Sequence, residues 1–127
     1  MKKNDNIEAL KKIFSAQEEF QRLLSEHKKL NVKFLLDRNK VQATKDMVLY
    51  LEEEAHELLR LLKWKEHKLE QNVNEHPDYV IQAIKEEIID VQHFVLNLAL
   101  IWGFTPEEFY KEFFRKNNIN KARLLKL

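Results

Sequence analysis

No cysteine occurs in this 127-residue chain, so a disulfide framework, a zinc–thiolate site and a thiol nucleophile are all excluded. Glycine occurs once and proline twice, which leaves few places for sharp turns. Charge of one sign is also missing: 22 Lys and Arg stand against 21 Asp and Glu, a formal net charge of +1. Bulk attraction to nucleic acid or to a membrane surface is therefore not expected. No hydrophobic run is long enough to span a bilayer; even "FVLNLALIWGF" at 94–104 is too short. The start, "MKKNDNIEALKK", lacks the apolar segment of a signal peptide, and the expected location is the cytoplasm.

What is present is a balance of 44% hydrophobic and 34% charged residues, which suits a packed helical protein. The length suits one domain, 1–127, with a modest core. Hydrophobic periodicity predicts an all-α bundle of four to five helices. The first covers about 5–28, with Leu10, Ile13, Phe14, Phe20, Leu23 and Leu24 at helical spacing. "VKFLL" at 32–36 of the irregular stretch that follows is expected to form a short helical turn. Thr44 is the expected N-cap of a second helix over about 45–67. "LEQNVNEHPD" reads as a polar loop, with Pro77 at the first position of a third helix. Gly103 should break that helix at its C-terminal end. "TPEE" then supplies Thr105 as N-cap, Pro106 at the first position and Glu108 closing a capping box for a fourth helix. The tail "KNNINKARLLKL" is polar, then basic and leucine-rich.

Two pairs of acids stand against this apolar background. At about 100° per residue, Met47, Val48, Leu51, Ala55, Leu58 and Leu62 form the apolar stripe of the second helix. Glu54 lies on its edge, bracketed by Met47, Leu51, Leu58 and Leu61, and Glu57 follows one turn later. On the third helix the stripe is Ile81, Ile84, Ile88, Val91, Val95 and Leu98. Glu87 sits on its edge among Ile84, Val91 and Phe94, with Asp90 one turn on. Antiparallel packing of the two helices lets all four acids converge. Paired acids at this spacing also arise by chance, and Glu52 and Glu53 read as a solvated face. Glu87 is harder to dismiss, because a buried carboxylate must protonate or find a cation. Converging carboxylates call for a hard divalent cation with oxygen ligands, Mg²⁺, which commonly bridges carboxylates to substrate phosphates.

"EAHE" at 54–57 and "EIID" at 87–90 resemble the paired motifs of the all-α nucleoside triphosphate pyrophosphohydrolases, which include MazG-like enzymes and dimeric dUTPases. "DVQHF" at 90–94, "LLKWK" at 61–65 and "KNNINKAR" at 116–123 are similar to motifs of the dUTPase branch. The resemblance covers most of the chain from 7 to 123. It implies that Glu54, Glu57, Glu87 and Asp90 bind Mg²⁺, with Mn²⁺ a possible substitute, and that Glu54 activates water. It implies that Lys116, Asn117, Asn120 and Arg123 hold phosphates and close over them, in keeping with the match of Arg and Lys to phosphate. The alternative for that tail is a frayed, solvated segment.

Gln17 falls in the middle of the first helix's apolar face, with Gln21 beside it. A buried amide must be hydrogen-bonded, and a neighbouring helix is the common partner. The resemblance instead implies that Gln17 reads a pyrimidine edge through its paired donor and acceptor. Gln21 stands where the family usually has Asn or Asp, which leaves both uracil and cytosine open. Trp64, His93 and Asn97 are candidates to complete the base and sugar pocket; packing is the alternative for Trp64. The implied reaction is hydrolysis of a deoxypyrimidine triphosphate to monophosphate and pyrophosphate. Alternatives are a MazG-like enzyme of broader range, a non-enzymatic bundle, and a di-iron bundle. The last requires Glu53 and His56 to face inward, but both turn away from the stripe. Apolar stripes on every helix also predict a homodimer, as does the resemblance.

Overall fold

The computed structural model describes residues 3–28, 39–62 and 78–126. Among them are four α-helices and no strand: α1 (Lys3–Lys28), α2 (Lys40–Leu62), α3 (Asp78–Ile101) and α4 (Pro106–Leu125). The protein is all-α, as periodicity predicts. The turn expected at "VKFLL", the end of the second helix near 67, and the loop with Pro77 lie outside the described residues. The chain divides into two compact units, Met1–Arg38 with Ala99–Leu127, and Asn39–Leu98.

In the first unit α1 packs on α4. Buried Phe14 meets Phe109 edge-on at 5.5 Å between ring centroids, and Phe104 meets Phe109 at 6.0 Å. Such edge-to-face pairs add about 0.5–1.5 kcal/mol each beyond the area they bury. Lys11 ties the two helices, reaching Glu107 at 3.4 Å and Glu8 at 3.1 Å. The Glu8 hydrogen bond first, and then the one to Glu107, raise the Lys11 pKa above its ordinary value.

The sole glycine sets the corner between α3 and α4. Gly103 has φ +76°, a left-handed conformation that costs an L side chain about 1–2 kcal/mol. Its N–H donates to the Leu100 carbonyl at 3.1 Å, and the Phe104 N–H donates to the Ala99 carbonyl at 2.9 Å. These two bonds form a Schellman motif and satisfy two of the helix's last carbonyls. Two residues on, the Thr105 hydroxyl accepts from the Glu108 N–H at 3.1 Å and Pro106 opens α4. The expected breaker and cap are both in place.

The tail, by contrast, is neither loop nor frayed end. No glycine or proline follows Pro106, and α4 runs on through Leu125. Arg115 forks onto Glu112, with Nε 2.8 Å from Oε1 and Nη2 2.8 Å from Oε2. Arg123 in the last turn suits the negative end of the helix dipole.

In the second unit the start of α2 differs from expectation. Asn39 is the cap: its Oδ1 accepts from the Val41 N–H at 2.9 Å, and its carbonyl accepts from the Ala43 N–H at 3.1 Å. Thr44 lies inside the helix, where its hydroxyl donates to the Lys40 carbonyl at 2.6 Å, a back-bond that removes it from capping. Ala43, Met47 and Leu96 are buried here. Tyr50 and Phe94 stack at 5.9 Å. The expected stripe on α3 is rotated: Ile81 and Ile88 are exposed, while Ile84, Glu87, Val91, Phe94 and Val95 are half-buried. The helix carries apolar residues on nearly every side, so its inward face is poorly marked in sequence.

Candidate metal centre

The inward rotation of α3 takes Glu87 with it. Glu87 is half-buried between Ile84 and Val91, its neighbours one turn before and after. Glu54, one turn below Leu58 on α2, is half-buried as well. One carboxylate oxygen from each of Glu54, Glu87 and Asp90 lies within 4.8 Å of the other two. All three belong to the second unit. The Glu87 carboxyl is pushed up to about 7. A hydrogen bond with Glu54 is the largest cause, followed by desolvation, a hydrogen bond with Asp90, and repulsion from both charges. Two carboxyls this close share a proton more readily than they carry two charges.

This donor set fits Mg²⁺. The ion takes oxygen ligands at about 2.0–2.1 Å in an octahedron, so opposite ligand oxygens stand about 4.2 Å apart. Of three such ligands at least two pairs are adjacent, about 2.9 Å apart, so oxygens within 4.8 Å of one another must draw together on the ion. Asp90 is exposed, which leaves solvent access on one side.

The fourth expected acid is not in the group. Glu57 forms an ion pair with Arg60, three residues on, and both side chains are more than half exposed. Sequence reasoning passed over Arg60, although its i, i+3 spacing from Glu57 marks such a pair. Asn97 is 2% exposed, and its Nδ2 donates to Met47 Sδ at 3.7 Å, a weak acceptor. His93 is exposed on α3. Trp64 lies outside the described residues.

In the first unit, Gln17 is 5% exposed on α1, and Gln21 is half-buried one turn on. Ser25, also buried, continues the same polar line; its i, i+4 spacing from Gln21 was the available signal. On α4, Asn117 is half-buried while Lys116, Asn120 and Arg123 are exposed. Glu53 and His56 are both exposed, so the pair a di-iron centre needs does not point inward.

Fold and site together define an all-α protein with a carboxylate triad drawn from two helices. Comparison with profiles of known families, with curated proteins and with solved structures finds no match to this chain.

Proposed function

We propose that this protein is a Mg²⁺-dependent nucleoside triphosphate pyrophosphohydrolase, acting on a deoxypyrimidine triphosphate, dUTP before dCTP. The observation that carries the reading is the convergence of Glu54, Glu87 and Asp90 beside an apolar helix face. Two half-buried carboxylates beside a third, exposed one repel one another, and a divalent cation offsets that cost.

In this reading Glu54, Glu87 and Asp90 hold the ion. Glu57 joins them by releasing Arg60, an exposed pair of the kind that contributes little. The bound ion supplies charge neutralisation at phosphate and a lowered pKa for water. Glu54 takes a proton from the water that attacks phosphorus, and the pyrophosphate leaves with the bonding electron pair. Lys116 and Arg123 donate to phosphate oxygens as charged donors, and Asn117 and Asn120 as neutral ones. The reading assigns recognition of the base and sugar to Gln17, Gln21, Trp64, His93 and Asn97, as the resemblance implies.

The test is a panel of ribo- and deoxynucleoside triphosphates with Mg²⁺ or Mn²⁺, with products resolved as monophosphate and pyrophosphate. Turnover centred on dUTP or dCTP supports the reading. Turnover spread over purines too gives the MazG-like alternative. No hydrolysis of any nucleotide at millimolar Mg²⁺ rejects both.

A further inference from the structure

The inward side of α1 changes character along its length. Its aromatic and ionic contacts with α4 lie in the first half, where Phe14 meets Phe109 and Lys11 reaches Glu107. Beyond Phe14 the inward row turns polar: Gln17 and Ser25 are buried, and Gln21 is half-buried between them. At about 100° per residue, Phe14, Gln17, Gln21 and Ser25 fall within about 80° of one another around the helix, so all four share one side. Two amides and a hydroxyl stand on the side that a packed helix ordinarily fills with apolar residues.

Ser25 is the informative member of the row. It is 7% exposed, and among the described residues its hydroxyl has no hydrogen-bond partner. A hydroxyl inside a helix has an ordinary remedy, which is to donate to the carbonyl four residues back, as Thr44 does to Lys40 at 2.6 Å. Ser25 makes no such bond to Gln21. Its charged neighbours are engaged with each other, Arg22 with Glu26 at 2.9 Å. A buried hydroxyl without a partner lowers stability, and alanine would fit the same space with a better helix propensity. The fold alone therefore gives no reason for a hydroxyl at this position.

We propose that the Ser25 hydroxyl bonds the 3′-hydroxyl of a bound deoxynucleotide and is a specificity residue for the sugar. This rests on the reading of Gln17 and Gln21 as groups that meet the base, and it extends that reading by one turn of α1. Chemistry chooses the ligand group. A serine hydroxyl both donates and accepts, and its best complement is a group that does the same. The sugar of a deoxynucleotide offers one such group, the 3′-hydroxyl, whereas ionised phosphate oxygens only accept. Charge agrees, because the row from Gln17 to Ser25 carries no ionised side chain and suits the neutral part of the nucleotide. Spacing agrees as well: Gln21 and Ser25 are four residues apart, about 6 Å along the axis, so base and sugar can meet successive turns.

The test uses the full chain with Mg²⁺ and two probes, dUMP and its 3′-deoxy analogue, or the cytosine pair if the nucleotide panel favours dCTP. In titration calorimetry Ser25→Ala is expected to weaken dUMP binding about two- to tenfold, the worth of one neutral hydrogen bond, and to leave the 3′-deoxy analogue unchanged. Without ligand, Ser25→Ala should melt at or above wild type, because the hydroxyl it removes has no partner in the fold. Unchanged dUMP affinity in the variant, or an equal loss for both probes, overturns the proposal and leaves the pyrophosphohydrolase reading standing. A ligand-free variant that melts below wild type overturns it as well, since the hydroxyl would then be bonded within the protein. A wild type that neither binds nor hydrolyses any nucleotide removes the reading and this proposal together.

Discussion

Replacing Glu87 by Gln removes one charge from the triad at nearly constant shape, and the consequence for stability has a definite sign. In the metal-free protein the Glu87 carboxyl is raised from 4.5 to about 7, chiefly by its hydrogen bond with Glu54. Its folded value lies above its unfolded value. The stabilisation it gives is therefore complete below about pH 4.5 and is lost as pH rises to about 7. At about 1.4 kcal/mol per tenfold change in proton affinity, that rise bounds the loss near 3 kcal/mol. Glu87 is half-buried rather than buried, so solvent screening reduces this to about 1–2 kcal/mol. Gln cannot ionise and escapes the loss. At pH 7.5 without metal, Glu87→Gln should melt at or above wild type, by up to about 3–6 °C for a chain of this size. Mg²⁺ reverses the order. It binds the folded, ionised cluster and should stabilise wild type by about 2.7 kcal/mol at a hundredfold excess over its dissociation constant. The mutant should gain much less, and its hydrolysis should fall by orders of magnitude. Thermal melts of both proteins at pH 4.5, 6 and 7.5, with and without Mg²⁺, read every arm. A mutant less stable than wild type without metal, yet gaining as much from Mg²⁺, makes Glu87 a structural acceptor and refutes the cluster.

Other substitutions test separate parts of the reasoning. Arg123→Ala should weaken triphosphate binding about tenfold or more while leaving nucleoside binding unchanged, measured by calorimetry; equal loss for both ligands removes its phosphate role. Gln17→Leu should leave a folded protein whose preference among dUTP, dCTP and dTTP is blurred, and an unchanged preference makes Gln17 structural. Gly103→Ala should cost about 1–2 kcal/mol in denaturant melts through backbone strain alone, because a Cβ there meets nothing within 4 Å. Asn39→Ala should cost about 1 kcal/mol as a lost cap; if Thr44→Ala costs more, the assignment of the α2 start is wrong.

Legibility in the sequence followed how local each signal was. The corner at 101–106 could be read because Gly103, Thr105 and Pro106 each act within a few residues of backbone. The α2 start could not, because Asn39 and Thr44 are both competent caps and only the Thr44 back-bond to Lys40 separates them. The Glu54 and Glu87 pairing was legible from helical angle, since each of these acids lies among apolar residues that fix its side, and Asp90 follows Glu87 one turn on. Glu57 has the same angle, but Arg60 holds it locally, and periodicity does not weigh a salt bridge against a distant carboxylate. The exposure of Ile81 and Ile88 was hidden for a different reason: a helix apolar on most sides does not advertise which side turns in.

If the proposed function holds, the continuity of α4 through Leu125 bears on how quickly and how tightly a phosphate can be held. A frayed tail over 116–123 would have to be ordered at the moment of binding, at about 1–2 kcal/mol of backbone entropy per residue. Here that ordering belongs to folding, aided by the Glu112–Arg115 fork one turn upstream. Lys116, Asn120 and Arg123 stand four and three residues apart, so the helix presents them along one side as a preset comb. Only their side-chain rotamers remain to be fixed, at about 0.5–1.5 kcal/mol each. Capture of phosphate by such a comb should be limited by diffusion rather than by chain closure, and its association rate should be insensitive to helix-stabilising cosolvents.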